Sequence, residues 1–284
     1  MTNNEYILTL SCEDKPGIVA AVSNFLYQNG SNIIESKQFG DSYTNKFFMR
    51  NHFSDSEIFS SLKVIEDGFS LIAKKYNMSW EISNVAYKPK VLIMVSKEGH
   101  CLNQILHRYQ TGKIPMDIVA VVSNHKDLEE TTKWHDIDFY HMPITKDTKA
   151  EQELKLIELI DKLDVDVVAL ARYMQILSEN LCNKLEGRAI NIHHSFLPSF
   201  KGANPYQQAY DRGVKIIGAT AHYVTADLDE GPIIEQEVLR VNHGHSAKDL
   251  KQMGEDIESQ VLTRALRYHI EQRVILNGTK TVVF

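Results

Sequence analysis

From Val91 onward, short apolar runs alternate with stretches of helical period, and no other feature of the 284-residue sequence restricts the fold as much. Strand-like runs lie at VLIMV from Val91, at Ile118 to Val122, at Phe139 to His141 and at Val165 to Ala171, with helical stretches such as Glu151 to Leu163 between them. Runs that do not alternate with polar residues are buried on both faces, so the pattern predicts a mostly parallel sheet covered by helices on each side. The segment AINI, Ala189 to Ile192, reads as a further core strand, and strand parity puts Asn191 and His193 on one face. In such a sheet ligands bind beyond the carboxyl ends of the strands, at a topological switch point, and this strand end is placed there. The loop that follows, with Pro198, Gly202 and Pro205, is poor core design and reads as part of a site.

The N-terminal third has a different pattern. Tyr6, Leu8 and Leu10 share one strand face, and Pro16 is placed in the first turn of a helix carrying Ile18, Val22, Phe25 and Leu26. Asn29 and Gly30 end that helix. Strands around Ile33 to Phe39 and Lys46 to Phe53 follow, then a helix marked by Ile58, Leu62, Ile65, Phe69 and Ile72, then a strand from Met78 to Ile82. The order βαββαβ is ferredoxin-like. Asn84 to Pro89 reads as a linker, and the length supports two domains, 1–84 and 85–284. In the second, Ser246 and Asp249 open a long helix with Leu250, Met253, Ile257, Val261 and Tyr268 on its inner stripe. The apolar tail from Val274 adds a strand or covers the sheet.

A net charge of −6 argues against bulk electrostatic binding of nucleic acid. No basic leader or membrane-length apolar run is found, so a cytoplasmic location is expected, without membrane partners. Cys12, Cys101 and Cys182 are odd in number and widely spaced, which excludes a disulfide or zinc framework. His193 and His194, or His243 and His245, lack further partners at metal-ligand spacing, so no metal is expected.

The stretch IIGATAHYVTADLDEGPII, from Ile216 to Ile234, reads as two strands joined by an acidic turn. Thr220 and His222 share a face, and Asp229 lies in the turn. With Asn191 and His193, these residues supply an amide, imidazoles and a carboxylate, the groups needed to move protons around a carbonyl.

The segment Asn191-x-His193-x-Ser195-x-Leu197-Pro198, with the distant Asp229-x-Gly231-Pro232-Ile233-Ile234, resembles the folate-dependent formyltransferase family over about two thirds of the chain, from Lys88 to Phe284. The turn SCEDKPGI resembles that of the amino-acid-binding ACT domain. The combination is similar to the deformylase branch of the formyltransferases. The fold implied is α/β, an ACT domain followed by a Rossmann-like catalytic domain.

The resemblance implies 10-formyltetrahydrofolate as substrate rather than as cofactor, and no cofactor. Asp229 is then the base, with Asn191 and His193 supporting the oxyanion. RYMQILS resembles the pterin-binding loop, so Arg172, Met174, Ile176 and Leu177 are expected to bind substrate. Thr220 and His222 are expected to position water, with structural roles as the alternative. Glycinamide ribonucleotide transferases of the family carry Gly-Ser-Asn after the first strand for the acceptor phosphate, whereas this chain has SKEGHCLNQIL, and the extra domain usual in methionyl-tRNA transferases has no counterpart after Val274. Water is therefore the expected acceptor, releasing formate for purine synthesis and balancing the one-carbon pools. The alternative is formyl transfer to a small amine such as glycinamide ribonucleotide. The ACT resemblance implies an effector site at Asp14, Gly17 and Ile18 for glycine or methionine, because a helix N-terminus holds carboxylates. It also implies a homo-oligomer.

Overall fold

The computed structural model describes residues 4–54, 62–196 and 205–284. Ile58, Leu197, Pro198 and Gly202, all used in the sequence reading, lie outside these residues. The chain divides into two compact units. The first comprises 1–88 with 271–277 and 281–284, and the second 89–270 with 278–280.

Unit 1 runs β1 (Glu5–Glu13), α1 (Ile18–Gln28), β2 (Asn32–Asp41), β3 (Lys46–Ser54), α2 (Leu62–Tyr76) and β4 (Ser79–Asn84). The sheet order is β2-β3-β1-β4, with every neighbouring pair antiparallel. Period-two alternation sends Tyr6, Leu8, Leu10 and Cys12 to one face, where they meet Ile18, Val22, Phe25 and Leu26 of α1 and Ile65 and Phe69 of α2. Phe69 packs edge-on against Phe25 and Trp80, with ring centroids 5.5 and 5.0 Å apart. Aromatic pairs of this geometry add about 0.5–1.5 kcal/mol to their burial.

The helix start differs from the sequence expectation. Pro16 lies outside α1, and Gly17 is the N-cap, at φ 94°. This is the left-handed region, which a residue with a Cβ enters only at a cost, and a Cβ here would also lie 3.1 Å from the Tyr76 hydroxyl.

The tail departs from the expected 85–284 domain. Strands β12 (Val274–Asn277) and β13 (Lys280–Val283) pair with each other. The tail joins unit 1 because polar groups of the first sheet hold it. Arg50 donates to the carbonyls of Glu271 and Gln272 at 3.0 Å each, and Asn277 donates to Asp41 at 2.8 Å. The division between the units near the linker falls after Lys88 rather than after Asn84.

Unit 2 begins with β5 (Lys90–Val95), α3 (His100–Gln110), β6 (Asp117–Ser123), α4 (Glu129–Trp134), β7 (Phe139–His141) and α5 (Lys149–Leu163). It continues with β8 (Val167–Leu170), α6 (Glu179–Lys184), β9 (Ala189–His193), α7 (Pro205–Asp211), β10 (Ile216–Tyr223), β11 (Ile233–Arg240) and α8 (Ala247–Ile270). The sheet order is β11-β10-β9-β8-β5-β6-β7. Strands β5 to β9 are mutually parallel, β10 is antiparallel to β9, and β11 is antiparallel to β10. The central strands read VLIMV and VVAL because both their faces are covered, and Val91 to Val95 are all 0% exposed.

The chain moves outward from β5 to β7 and then returns to β8, so the switch point lies between β5 and β8. Asn191 and His193, on β9, are one strand further out than the sequence reading placed them. Helix α8 opens with the expected capping box, Ser246 N donating to Asp249 at 2.8 Å and Asp249 N to Ser246 Oγ at 3.3 Å.

Candidate active site

The register of β9 against β10 sets the site. Thr220 is opposite His193 and His222 is opposite Asn191, so parity puts all four side chains on one face. His222 Nδ1 lies 2.8 Å from the Tyr223 carbonyl oxygen and donates to it. The neutral ring then has Nε2 as an acceptor, and Asn191 donates an amide N–H to it at 3.2 Å.

The β10–β11 connection brings in the carboxylate. Asp229 Oδ2 is 3.3 Å from His193 Nδ1, and its Oδ1 is 3.7 Å from His222 Nε2. Hydrogen bonding from His193, with the His222 ring alongside, holds the Asp229 carboxyl well below the usual aspartate range despite its partial burial. Asp229 also has φ 59°. Asp is among the residues that tolerate this left-handed backbone, and such conformations are concentrated at sites where the chain must aim one side chain.

These residues open onto a cavity of about 230 Å³. Asn191, His193, His222 and Asp229 form one wall, and Met174, Gln175, Ile176 and Leu177, from the turn after β8, form another. Met174 and Ile176 are 58% and 60% exposed, so apolar surface faces the opening. The turn is braced from three sides. Met174 N donates to buried Ser96 at 3.0 Å, Ser178 N donates to Glu153 at 3.0 Å, and Ser178 caps α6 through Leu181 N.

Two expected substrate residues are engaged differently. Thr220 is fully buried, donating to the Ser195 carbonyl and accepting from Gln236, each at 2.9 Å. It is not among the residues lining the cavity, and it fixes the strand end behind the wall. Arg172 borders the cavity, but its guanidinium is committed to protein partners. It donates to Glu98 at 3.0 and 3.1 Å and to His194 Nδ1 at 3.0 Å, and it lies 3.3 Å from Glu258. Its φ of 66° is again left-handed.

Glu258 is 1% exposed and also receives His100 Nε2 at 2.8 Å and the Tyr206 hydroxyl at 2.6 Å. Burial alone would raise its pKa, but the hydrogen bond from His100 and the charge of Arg172 outweigh it and hold Glu258 below the usual range. His100, Cys101 and Glu258 lie close enough to ligate one cation among the described residues. The donor set does not suit one. The Arg172 guanidinium occupies that carboxylate, and burial pushes the Cys101 thiol far up, which keeps it protonated.

Sequence reasoning missed this network. Glu98, Arg172, His194, Tyr206 and Glu258 come from five separate segments, and no local spacing connects them. The one available signal was a glycine in a long helix. A Cβ at Gly254 would lie 2.0 Å from the Tyr206 hydroxyl oxygen, so α8 carries glycine there to admit the Tyr206 ring. Gly254→Ala is expected to destabilise the protein by about 1–3 kcal/mol through overpacking, against the usual gain from alanine in a helix. Urea unfolding of the two forms measures it, and an unchanged midpoint would contradict the close approach.

At the N-terminal candidate site, Asp14, Gly17 and Ile18 line one open depression together with Lys15, Ser23 and Phe47. The first backbone N–H groups of α1 have no carbonyl partner within the helix, as at any helix start. Lys15 is paired with Glu13 at 2.8 Å. No helix among the described residues is long and apolar enough to cross a membrane.

Residues 89–266 match the family model described as formyl transferase, and residues 6–67 match that of the ACT domain. The chain is 48% identical over 278 residues to formyltetrahydrofolate deformylase of Corynebacterium sp. (strain P-1), covering 98% of this chain and 97% of that protein. The crystal structure of formyltetrahydrofolate deformylase from Burkholderia mallei superposes with a TM-score of 0.94 at 48% identity, covering 99% of each chain. Glycinamide ribonucleotide transformylase 1 from Symbiobacterium toebii is more distant, with 29% identity, a TM-score of 0.66, and 71% of this chain and 96% of that chain covered.

Proposed function

Because the chain belongs to the formyltetrahydrofolate deformylase family, we propose that it hydrolyses 10-formyltetrahydrofolate to formate and tetrahydrofolate, with water as the acceptor. The observation that carries this reading is the ionised Asp229, 3.3 Å from His193 and beside Asn191, at the wall of one cavity.

In this reading the pterin ring lies against Met174, Ile176 and Leu177, and the formyl group faces Asn191 and His193. Water attacks the formyl carbon, and Asp229 takes its proton directly or through a second water. The carbonyl oxygen gains negative charge. The second N–H of Asn191 and a protonated His193 donate to it, and both are held in place before charge develops. His193 then delivers a proton to the departing folate nitrogen, and the carbon–nitrogen bond breaks. His222 touches both Asn191 and Asp229, so it orients the pair rather than exchanging protons with substrate.

The test is incubation with 10-formyltetrahydrofolate alone while formate and tetrahydrofolate are followed. Equal release of both without an added amine is expected. Release only after glycinamide ribonucleotide or another small amine is supplied would instead support the transferase reading. That alternative has less support, because the transformylase likeness is 29% identity over 71% of this chain, against 48% over 98% for the deformylase.

For the N-terminal unit the reading is an amino-acid effector site, supported by the ACT match and by the depression at Asp14, Gly17 and Ile18. The helix start would take the effector carboxylate, and Asp14 its ammonium. Calorimetry with glycine and with methionine on the full-length chain is expected to show binding, and the bound amino acid is expected to change the deformylase rate. Binding of neither would leave assembly of a homo-oligomer as the role of the unit. Gly17→Val is unsuitable as a control, since the φ of 94° would strain the turn whatever the ligand does.

A further inference from the structure

The residue next to His193 carries chemistry that the reading above does not use. The His194 ring stacks on His193 with centroids 4.7 Å apart and planes 26° apart, and it lines the same cavity as Asn191 and Asp229. Its Nδ1 accepts from Arg172 at 3.0 Å. An imidazole that accepts at Nδ1 is neutral and carries its proton on Nε2, so one hydrogen bond fixes both charge and tautomer. Nε2 points away from Arg172, and no protein acceptor for it is found among the described residues.

Arg172 can impose this state because it is itself immobilised. Glu98 takes two of its N–H groups, and Glu258, buried at 1% exposure, lies 3.3 Å from Nε. His100 and Tyr206 occupy the rest of the Glu258 carboxylate. Five segments thus combine to aim one guanidinium at one ring nitrogen. For a site needing only Asn191, His193 and Asp229, that is a large investment in a neighbouring imidazole.

We propose that His194 is a further catalytic residue of the deformylation, its Nε2–H donating to the attacking water, and that Arg172 and Glu258 are positioning residues that hold it in that tautomer. The inference rests on the hydrolytic reading. A nucleophilic water gives its proton to Asp229, attacks through one lone pair, and has a second lone pair free. A donor on that second lone pair fixes the approach of the water without competing for its proton. A neutral donor suits the task, since a second imidazolium stacked on His193 would oppose its protonation.

The charged and titratable groups facing His194 are Arg172 after β8, His193 on β9, Tyr206 on α7, Asp229 in the β10–β11 connection and Glu258 on α8. Burial first, then Arg172 and His193, bring the His194 pKa down to about 4, against opposing contributions from Glu258 and Asp229. The ring therefore stays neutral across the working range.

The experiment compares His194→Ala, His194→Gln, Arg172→Met and Glu258→Gln with the wild type. Formate release without acceptor in the wild type tests the hydrolytic reading separately, and its absence would sink that reading and this inference together. Given wild-type activity, His194→Ala is expected to lower kcat on the order of 100-fold with KM and tetrahydrofolate affinity unchanged, the size of effect that a misplaced reactant produces. His194→Gln, whose amide N–H reaches the Nε2 position, is expected to recover part of the loss. In Arg172→Met the His194 ring signal, followed by imidazole NMR, is expected to titrate nearer the ordinary value of about 6.5, and the acid limb of kcat to gain that ionisation. Glu258→Gln keeps the Tyr206 contact but removes a charge that raises the His194 pKa, so it is expected to move the titration the other way, further below the ordinary value, and it stands in if Arg172→Met does not fold. A kcat for folded His194→Ala within about twofold of wild type, or a loss confined to KM, would overturn the catalytic role. An unmoved His194 titration in a folded Arg172 or Glu258 variant would overturn the positioning role.

Discussion

Asp229→Asn is expected to lower kcat by about 10²–10⁴, the range a positioned general base supplies, while tetrahydrofolate still binds. Asparagine preserves the shape, and like aspartate it accepts the left-handed backbone at φ 59°, so the connection carrying it should fold unchanged. What it loses is proton affinity and charge. The carboxylate 3.3 Å from His193 Nδ1 both accepts the proton from water and holds the imidazole in place. Steady-state kinetics with calorimetric binding of tetrahydrofolate separates these effects, and wild-type turnover in a folded variant would refute the assignment. The pH dependence has a defined sign. The Asp229 pKa is depressed in the folded protein, so the stability this gives is present above the unfolded value of about 3.9 and is lost as pH falls toward the folded value. The carboxylate is therefore ionised throughout the neutral range, and protonation of Asp229 does not produce an acid limb of the wild-type rate there.

What could be read from the sequence follows from how local each signal is. Strand parity is a property of neighbouring residues, so Tyr6, Leu8 and Leu10 could be assigned to a core face, and Asn191 with His193 to one side of β9, from spacing alone. The Ser246 and Asp249 box spans four residues and is equally plain. Thr220 and Arg172 could not be placed this way. Each lies at the right end of the right element, and only the partners decide that one is buried behind the wall and the other is consumed by Glu98, Glu258 and His194. The tail stays open in the sequence for a similar reason. Its two short strands are ordinary in sequence, and their attachment depends on Arg50 and Asp41, more than 200 positions away.

Asn191→Ala tests the other half of the proposed chemistry, the stabilisation of charge rather than the movement of protons. Loss of one oxyanion donor is expected to lower kcat by about 100 to 1,000-fold, equivalent to about 3–4 kcal/mol of transition-state stabilisation. The donor is preorganised, because one amide N–H is already committed to His222 Nε2 at 3.2 Å and the His222 ring is pinned by the Tyr223 carbonyl at 2.8 Å. That arrangement leaves the second N–H at a fixed angle before substrate arrives, which is why its removal should reduce kcat more than it raises KM. The truncation also removes the amide that holds the His222 ring, whose Nε2 is 3.7 Å from Asp229 Oδ1, and so loosens the support of that carboxylate. Part of the loss would then come through Asp229, so Asn191→Ala and Asp229→Asn combined should cost less than the sum of the two. An effect of Asn191→Ala confined to KM would make the residue a ground-state binding group, and strict additivity of the two variants would separate it from the Asp229 pair.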